Sequence, residues 1–262
     1  MRARTAWRGL MGGLVVALCA WGAPALAEEP DGGENQRTLG SDPSEIVSRI
    51  EIRNEYLALP ENGHSNATIF RGDWAPTDWM LGRVEIPLVT ADTAEFGSDV
   101  GMGDMLLGLR GKVRLGARWS LIGEMAFILD TAGSDALGSG HNAVSPFAVV
   151  VWKPSPAWIL GLEYRWLGSF DGDPDREAIR ESEIRPQALY HLPHGFWVLA
   201  DPRIYVDHVG TGGVAFFPEA EFGKVLRRHV EAWVRGGGTV AGGGRAEREG
   251  WAAEAGVRYL FD

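Results

Sequence analysis

Trp251-Ala252-Ala253-Glu254-Ala255-Gly256-Val257-Arg258-Tyr259-Leu260-Phe261-Asp262 ends the chain. Ala253, Ala255, Val257, Tyr259 and Phe261 alternate there with Glu254, Gly256, Arg258 and Leu260. A period of two puts the apolar set on one face of a strand and the ionic set on the other. Hydrocarbon outside and ions inside is the pattern of a barrel that crosses a membrane with strands. A soluble antiparallel sheet with one wet face also alternates, so the rest of the chain has to decide between them.

The beginning of the chain fixes the compartment. Arg2, Arg4 and Arg8 precede an apolar run from Leu10 to Trp21, and Ala25-Leu26-Ala27 follows as a small-x-small cleavage site. This is the layout of a secretory signal peptide over 1–27, giving a mature chain that starts at Glu28. The single cysteine, Cys19, lies in that leader behind Leu18, where a lipoprotein signal needs a small residue. The mature chain therefore has no thiol and no disulfide. Losing three arginines makes it more acidic than the formal −10 of the whole sequence, which argues against nucleic acid as a partner. After the leader no stretch has the ~18 consecutive apolar residues of a membrane helix. Residues 28–45, rich in Gly, Glu, Asp and Pro, read as a disordered periplasmic lead-in, and 46–262 as one all-β domain.

Twelve strands can be read from Val47 onward. In the first, Ile50, Ile52, Asn54 and Tyr56 oppose Arg49, Glu51, Arg53 and Glu55. The second sets Phe70, Gly72 and Trp74 against Ile69, Arg71 and Asp73, and the third Val84, Ile86 and Leu88 against Arg83, Glu85 and Pro87. The fourth turns Arg110, Lys112 and Arg114 away from Leu107, Leu109 and Val113, and the fifth buries only Glu124 among its charges. The sixth, Ser145 to Trp152, is apolar on both faces and has no readable orientation. Clean alternation returns in the seventh to eleventh.

Connection lengths alternate as well. Ala75–Asp78, Gly116–Arg118, Pro154–Ala157, Leu192–Gly195 and Leu226–Arg228 are tight, whereas 60–66, 90–100, 131–142, 168–178 and 237–250 are long. Only Gly210–Gly213 is short where a long loop is due. Short periplasmic turns and long outer loops are the outer-membrane arrangement. Trp74, Trp79, Trp119, Trp152, Trp158, Tyr190 and Trp197 cluster beside the tight turns, as a headgroup-level belt requires. Trp79 and Trp197 share parity with the inward residues, which leaves five for the belt.

Residues two apart on a strand share a face. On the inward parity this couples Glu51 with Arg53, Arg83 with Glu85, Glu163 with Arg165, Glu183 with Arg185 and Asp201 with Arg203. Glu231 with Arg235 and Glu254 with Arg258 continue the theme. These fourteen residues are the candidate lumen lining. The bland reading is a set of ion pairs that fill the barrel; the sharper one is a narrow selective passage for a small solute. Asp171-Gly172-Asp173-Pro174-Asp175 has the carboxylate spacing of a calcium loop, but Arg176 and Ser182 stand where such a loop needs Gly and Glu, so it reads as a solvated loop. No metal, cofactor or catalytic residue is assigned, and the chain is read as a non-enzyme. A lipid hydrolase using His64, Ser65 and Asn66, or His141 and Asn142, is the alternative, with a structural or adhesion barrel as a third reading.

The closing strand, with aromatics on alternate positions, looks like the assembly signal of outer-membrane proteins, which makes the barrel-assembly machinery and outer-membrane lipid expected partners. From Pro43 onward the chain also resembles the outer-membrane transporter-like family named for the MetA pathway of phenol degradation. Ile86-Pro87-Leu88, Gly101-Met102-Gly103-Asp104, Arg185-Pro186-Gln187, Gly223-Lys224-Val225 and Gly256-Val257-Arg258-Tyr259 carry the resemblance. It implies an outer-membrane barrel for uptake of small, often hydrophobic or aromatic compounds, and it brings no catalytic residues.

Overall fold

The computed structural model describes residues 40–209, 212–242 and 250–261. The signal peptide, Cys19, the lead-in as far as residue 39, most of the last outer loop and Asp262 lie outside the described residues.

Twelve antiparallel staves close into a barrel. They are β1 (Arg49–Ala58), β2 (His64–Trp74), β3 (Met80–Thr93), β4 (Gly97–Met102 continued by Met105–Arg114), β5 (Trp119–Leu129) and β6 (His141–Ser155). Then follow β7 (Trp158–Gly172), β8 (Arg180–His191) and β9 (Phe196–Ala200 continued by Arg203–Asp207). The last three are β10 (Gly213–Phe217 continued by Glu219–Arg227), β11 (Val230–Gly238 continued by Ala241–Gly242) and β12 (Trp251–Leu260). Each stave pairs with its chain neighbours, and β12 pairs with β1 from Arg49 opposite Leu260 to Ala58 opposite Trp251, which leaves no free edge. Closure satisfies the backbone internally, the condition for strands in hydrocarbon.

The outside is apolar. Ile50, Phe70, Leu88, Leu109, Phe127, Leu162, Phe222, Val234 and Val257 are all exposed, a surface that water would reject and acyl chains would accept. Trp119 stacks on Trp152, with ring centroids 5.5 Å apart, and Trp158 meets Tyr190 at 4.5 Å, all beside the tight turns. Trp197 is fully buried inside the barrel, whereas Trp79 is exposed. Trp79 lies one residue before β3, in the turn, where strand parity has no hold.

The structure departs from two expectations of the sequence. The stretch 90–100 is mostly strand: the end of β3 and the first segment of β4 pair from Leu88 opposite Met102 to Thr93 opposite Gly97, leaving only Ala94–Phe96 as the tip. Its outward face turns polar with Thr90, Asp92 and Ser98 where the hairpin rises past the bilayer, while Val89 and Ala91 on the inner face pack with Leu137. The sixth strand does have an inside. Phe147, Val149 and Val151 point inward and join Ile122, Ile159, Leu189, Trp197, Leu199 and Trp233 in one buried cluster, so part of the interior is hydrophobic core.

Candidate functional site: an ionic girdle and its stopper

Charged side chains on the inward parity join into a closed circuit. Asp73 takes Arg49 at 2.7 Å, Arg71 at 2.6 Å and Arg83 at 3.1 Å. Arg83 reaches Glu124 at 2.9 Å, and Glu124 also takes Arg110 at 2.7 Å. On β6, whose lysine, Lys153, reaches Asp42 and Glu45 instead, Phe147 bridges the gap: the Arg110 and Arg165 guanidinium carbons lie 5.3 and 4.6 Å from its ring centroid. Arg165 pairs with Glu163 at 3.0 Å and with Glu183 at 3.5 Å. Arg185 contacts Glu163 at 3.6 Å and holds Asp201. Arg235 then gathers Glu221 at 2.5 Å, Glu219 at 3.5 Å, Asp201 at 3.8 Å and Glu254 at 4.0 Å. Glu254 meets Arg53 at 3.5 Å, Arg53 meets Glu85 at 2.7 Å, and Glu85 returns to Arg71 at 3.7 Å.

All fourteen residues singled out in the sequence take part in this interior network, but with different partners. Glu51 with Arg53 at 2.9 Å and Glu163 with Arg165 are the same-strand couples that form closely; Glu183 and Arg185 stand 3.8 Å apart. The close partners of Arg83 are Asp73 and Glu124, those of Asp201 and Arg203 are Arg185 and Glu219, and that of Arg258 is Glu231. Adjacent strands are only about 4.8 Å apart, so a long arginine reaches across as readily as along. Arg49, Arg71, Asp73, Arg110, Glu124, Glu219 and Glu221 belong to the same network. Inward parity picks out each of them, and Arg71 with Asp73 is itself a couple two apart on one strand.

The girdle surrounds a cavity of about 350 Å³. One end is filled by chain. By composition 28–45 is a disordered lead-in, yet Gly40–Glu45 packs inside the mouth where the tight turns lie, with Asp42 and Ser44 buried. Its polar groups have dedicated partners. The Gly40 N–H donates to Glu231 Oε2 at 3.1 Å, and its carbonyl accepts from Arg49 Nη1 at 2.8 Å. Ser41 Oγ donates to Glu221 and accepts from Arg258 Nη2 at 2.6 Å. Asp42 Oδ1 accepts from the N–H and the hydroxyl of Ser44, both at 2.8 Å, while Lys153 Nζ reaches Asp42 at 2.7 Å and Glu45 at 3.2 Å. Charges fixed in the wall thus replace the water this polar segment would otherwise hold. A Cβ on Gly40 would fall inside the Arg258 side chain, so the segment fits as glycine.

The hydrophobic cluster narrows the same mouth. Trp197 and Trp233 lie flat against the wall over Gly223 and Gly256, their cross-strand partners, and donate through Nε1 to Glu221 at 2.7 Å and Glu254 at 3.0 Å. At the other end, the long outer loop folds back onto Asp104, which accepts from the Ser139 N–H at 2.7 Å and the Ser139 hydroxyl at 2.9 Å.

The alternative catalytic residues do not converge. His64 and Ser65 are consecutive in β2, so their side chains take opposite faces. Asn66 exchanges amide hydrogen bonds with Asn54. The ring of His141 bonds the Glu177 carbonyl, and Asn142 caps the Asp130 N–H. Among the described residues no group of His, Cys, Asp and Glu has the geometry of a metal site.

No protein-family model and no curated protein matches the chain. Solved structures do. An outer-membrane channel of the COG4313 group from Pseudomonas putida F1 superposes with a TM-score of 0.67 at 14% identity, over 89% of this chain and 100% of that one. The NanC porin gives 0.58 at 11% identity, over 81% and 99%, and the KdgM porin 0.55 at 10%, over 82% and 99%. At these identities the likeness is one of fold: the chain has the architecture of outer-membrane β-barrel channels.

Proposed function

We propose that this chain is a narrow outer-membrane channel for a small solute, closed on its periplasmic side by its own N-terminal segment. The observation that carries the reading is the closed girdle around a cavity, with Gly40–Glu45 seated at one end of it. The tight turns and both strand termini share that end, which is the periplasmic end in barrels of this kind. A wall of paired charges offers a passing solute a ladder of exchangeable polar contacts without a net field strong enough to trap it. Phe147, Leu199 and Trp233 add an apolar side to the same cavity, which suits a solute with both a hydrophobic body and a polar group. The fourteen residues read from the sequence are the solute-facing set in this proposal, and the membership suggested by the MetA-pathway resemblance agrees with it. So do export by residues 1–27, insertion by the barrel-assembly machinery and a transport role without catalysis in the lumen.

Planar-bilayer recordings test it. The mature chain should conduct weakly, and deletion of residues 28–45 should raise conductance several-fold while the barrel stays folded. A folded truncated barrel that passes neither ions nor small solutes would end the proposal.

A further inference from the structure

A second arrangement of reactive side chains lies on the outside of the barrel, away from the cavity. Ser182 of β8 has the parity of Ile184 and Pro186, and His208, just past β9, has that of Ile204 and Val206, so both face outward. Ser182 Oγ and His208 Nε2 are 2.9 Å apart. Tyr164 OH, from β7, lies 3.0 Å from the same Oγ. The His208 ring is exposed, and Trp166 stacks on it with centroids 5.3 Å apart, fixing its plane. The His208 N–H is tied to the Arg180 carbonyl at 2.9 Å, which fixes the backbone that carries it.

Given the membrane orientation proposed above, the site lies at the outer-leaflet boundary. Trp158 and Tyr190 mark the belt at the tight-turn end; Trp166 and Ser182 are eight residues further along the same two staves. At about 3.3 Å per residue and a tilt of about 45°, that is a rise of roughly 20 Å, close to the full height of the apolar band. Lipid esters sit at that depth.

We propose that Ser182 and His208 form a nucleophile–base pair acting on an acyl ester of an outer-leaflet lipid. A hydroxyl within hydrogen-bond reach of an imidazole whose ring is held by a third group is the requirement for an activated serine. Ser182 Oγ attacks the ester carbonyl and its proton passes to His208 Nε2. The carbon–oxygen bond of the ester breaks, and the leaving alcohol takes the proton from His208. Water then attacks the acyl-serine, gives its proton to His208 and releases the fatty acid, and Ser182 recovers its hydrogen. Tyr164 OH, beside the attacked carbon, can donate to the developing oxyanion. Ser182 is buried beneath Tyr164 and His208, so a lipid reaches it along the exposed Tyr164 and His208 rings.

The test uses the folded, full mature chain in mixed micelles with a fluorophosphonate probe and, separately, a fluorogenic phospholipid. Labelling should map to Ser182 and vanish in Ser182→Ala; ester turnover should fall about 100-fold or more in Ser182→Ala and His208→Ala, the range for loss of a positioned base. Tyr164→Phe should retain labelling and lose turnover. Absence of labelling and turnover in the unmodified protein, or turnover unchanged in Ser182→Ala, would overturn the proposal. Conductance of Ser182→Ala in bilayers should equal that of the parent, because Ser182 faces away from the cavity, so the channel reading stands or falls separately.

Discussion

Glu231 and Arg258 stand directly opposite one another on β11 and β12, and Arg258 Nε meets Glu231 Oε2 at 2.5 Å while its guanidinium lies 4.6 Å from the Trp233 ring centroid. The contact is between strands, and so is most of the girdle. Each charge in the wall is fixed by the register of its neighbours, which makes the interior one connected object.

Asp73 holds three arginines within 3.1 Å, and its side chain is wholly out of solvent. Replacing it with Ala or Asn takes from the buried Arg49 its close acid and leaves Arg71 and Arg83 only Glu85 and Glu124. The barrel should lose about 3–5 kcal/mol of stability, read as a lower unfolding temperature of the heat-modifiable band on semi-native gels.

Arg235 touches four acids and lines the cavity. Arg235→Ala, made in the barrel lacking residues 28–45, should shift the reversal potential in a salt gradient toward cations. An unchanged reversal potential would mean that ions do not pass this wall.

Leu162 lies on the outside, 58% exposed, about four residues from the aromatic belt at Trp158 and so near mid-height. Leu162→Arg should destabilise the folded barrel in bilayers by about 2–4 kcal/mol, the cost of a charge at the midplane. In a water-soluble barrel the same change would be neutral or helpful, so folding titrations into liposomes separate the two.

Gly223 and Gly256 give the indoles of Trp197 and Trp233 their resting places. Gly223→Ala pushes a methyl into the Trp197 ring and should cost about 1–3 kcal/mol by overpacking. The indole, pushed off the wall into the lumen, should also lower conductance of the truncated barrel, measured alongside its unfolding curve.

The twelve staves were legible in the sequence because a lipid-facing strand has no freedom in its alternation: Ile50, Ile52, Phe70, Leu162 and Val257 all point where parity puts them. The inward charges were legible for the same reason. What escaped was anything set by neighbours in space. Partner choice follows from register, which a single strand does not reveal. Phe147, Val149 and Val151 form an inner core that looks identical to a lipid face when read along β6. Gly40–Glu45 has the composition of a disordered tail, and what gives it a fixed place is its partners in the wall, Arg49, Lys153, Glu221, Glu231 and Arg258. The short glycine patterns behind the family resemblance gain a physical meaning here, since Gly223 and Gly256 are floors for tryptophan and Gly103 sits tightly against Val89 beside the Asp104 anchor.

Ser41 is clasped by Glu221 of β10 and Arg258 of β12, and Gly40 by Glu231 of β11, while Arg49 and Lys153 hold the same segment from β1 and β6. The full set of partners for Gly40–Glu45 therefore exists only once β12 has zipped onto β1. Seating of the segment and closure of the ring are coupled steps, each completing the other.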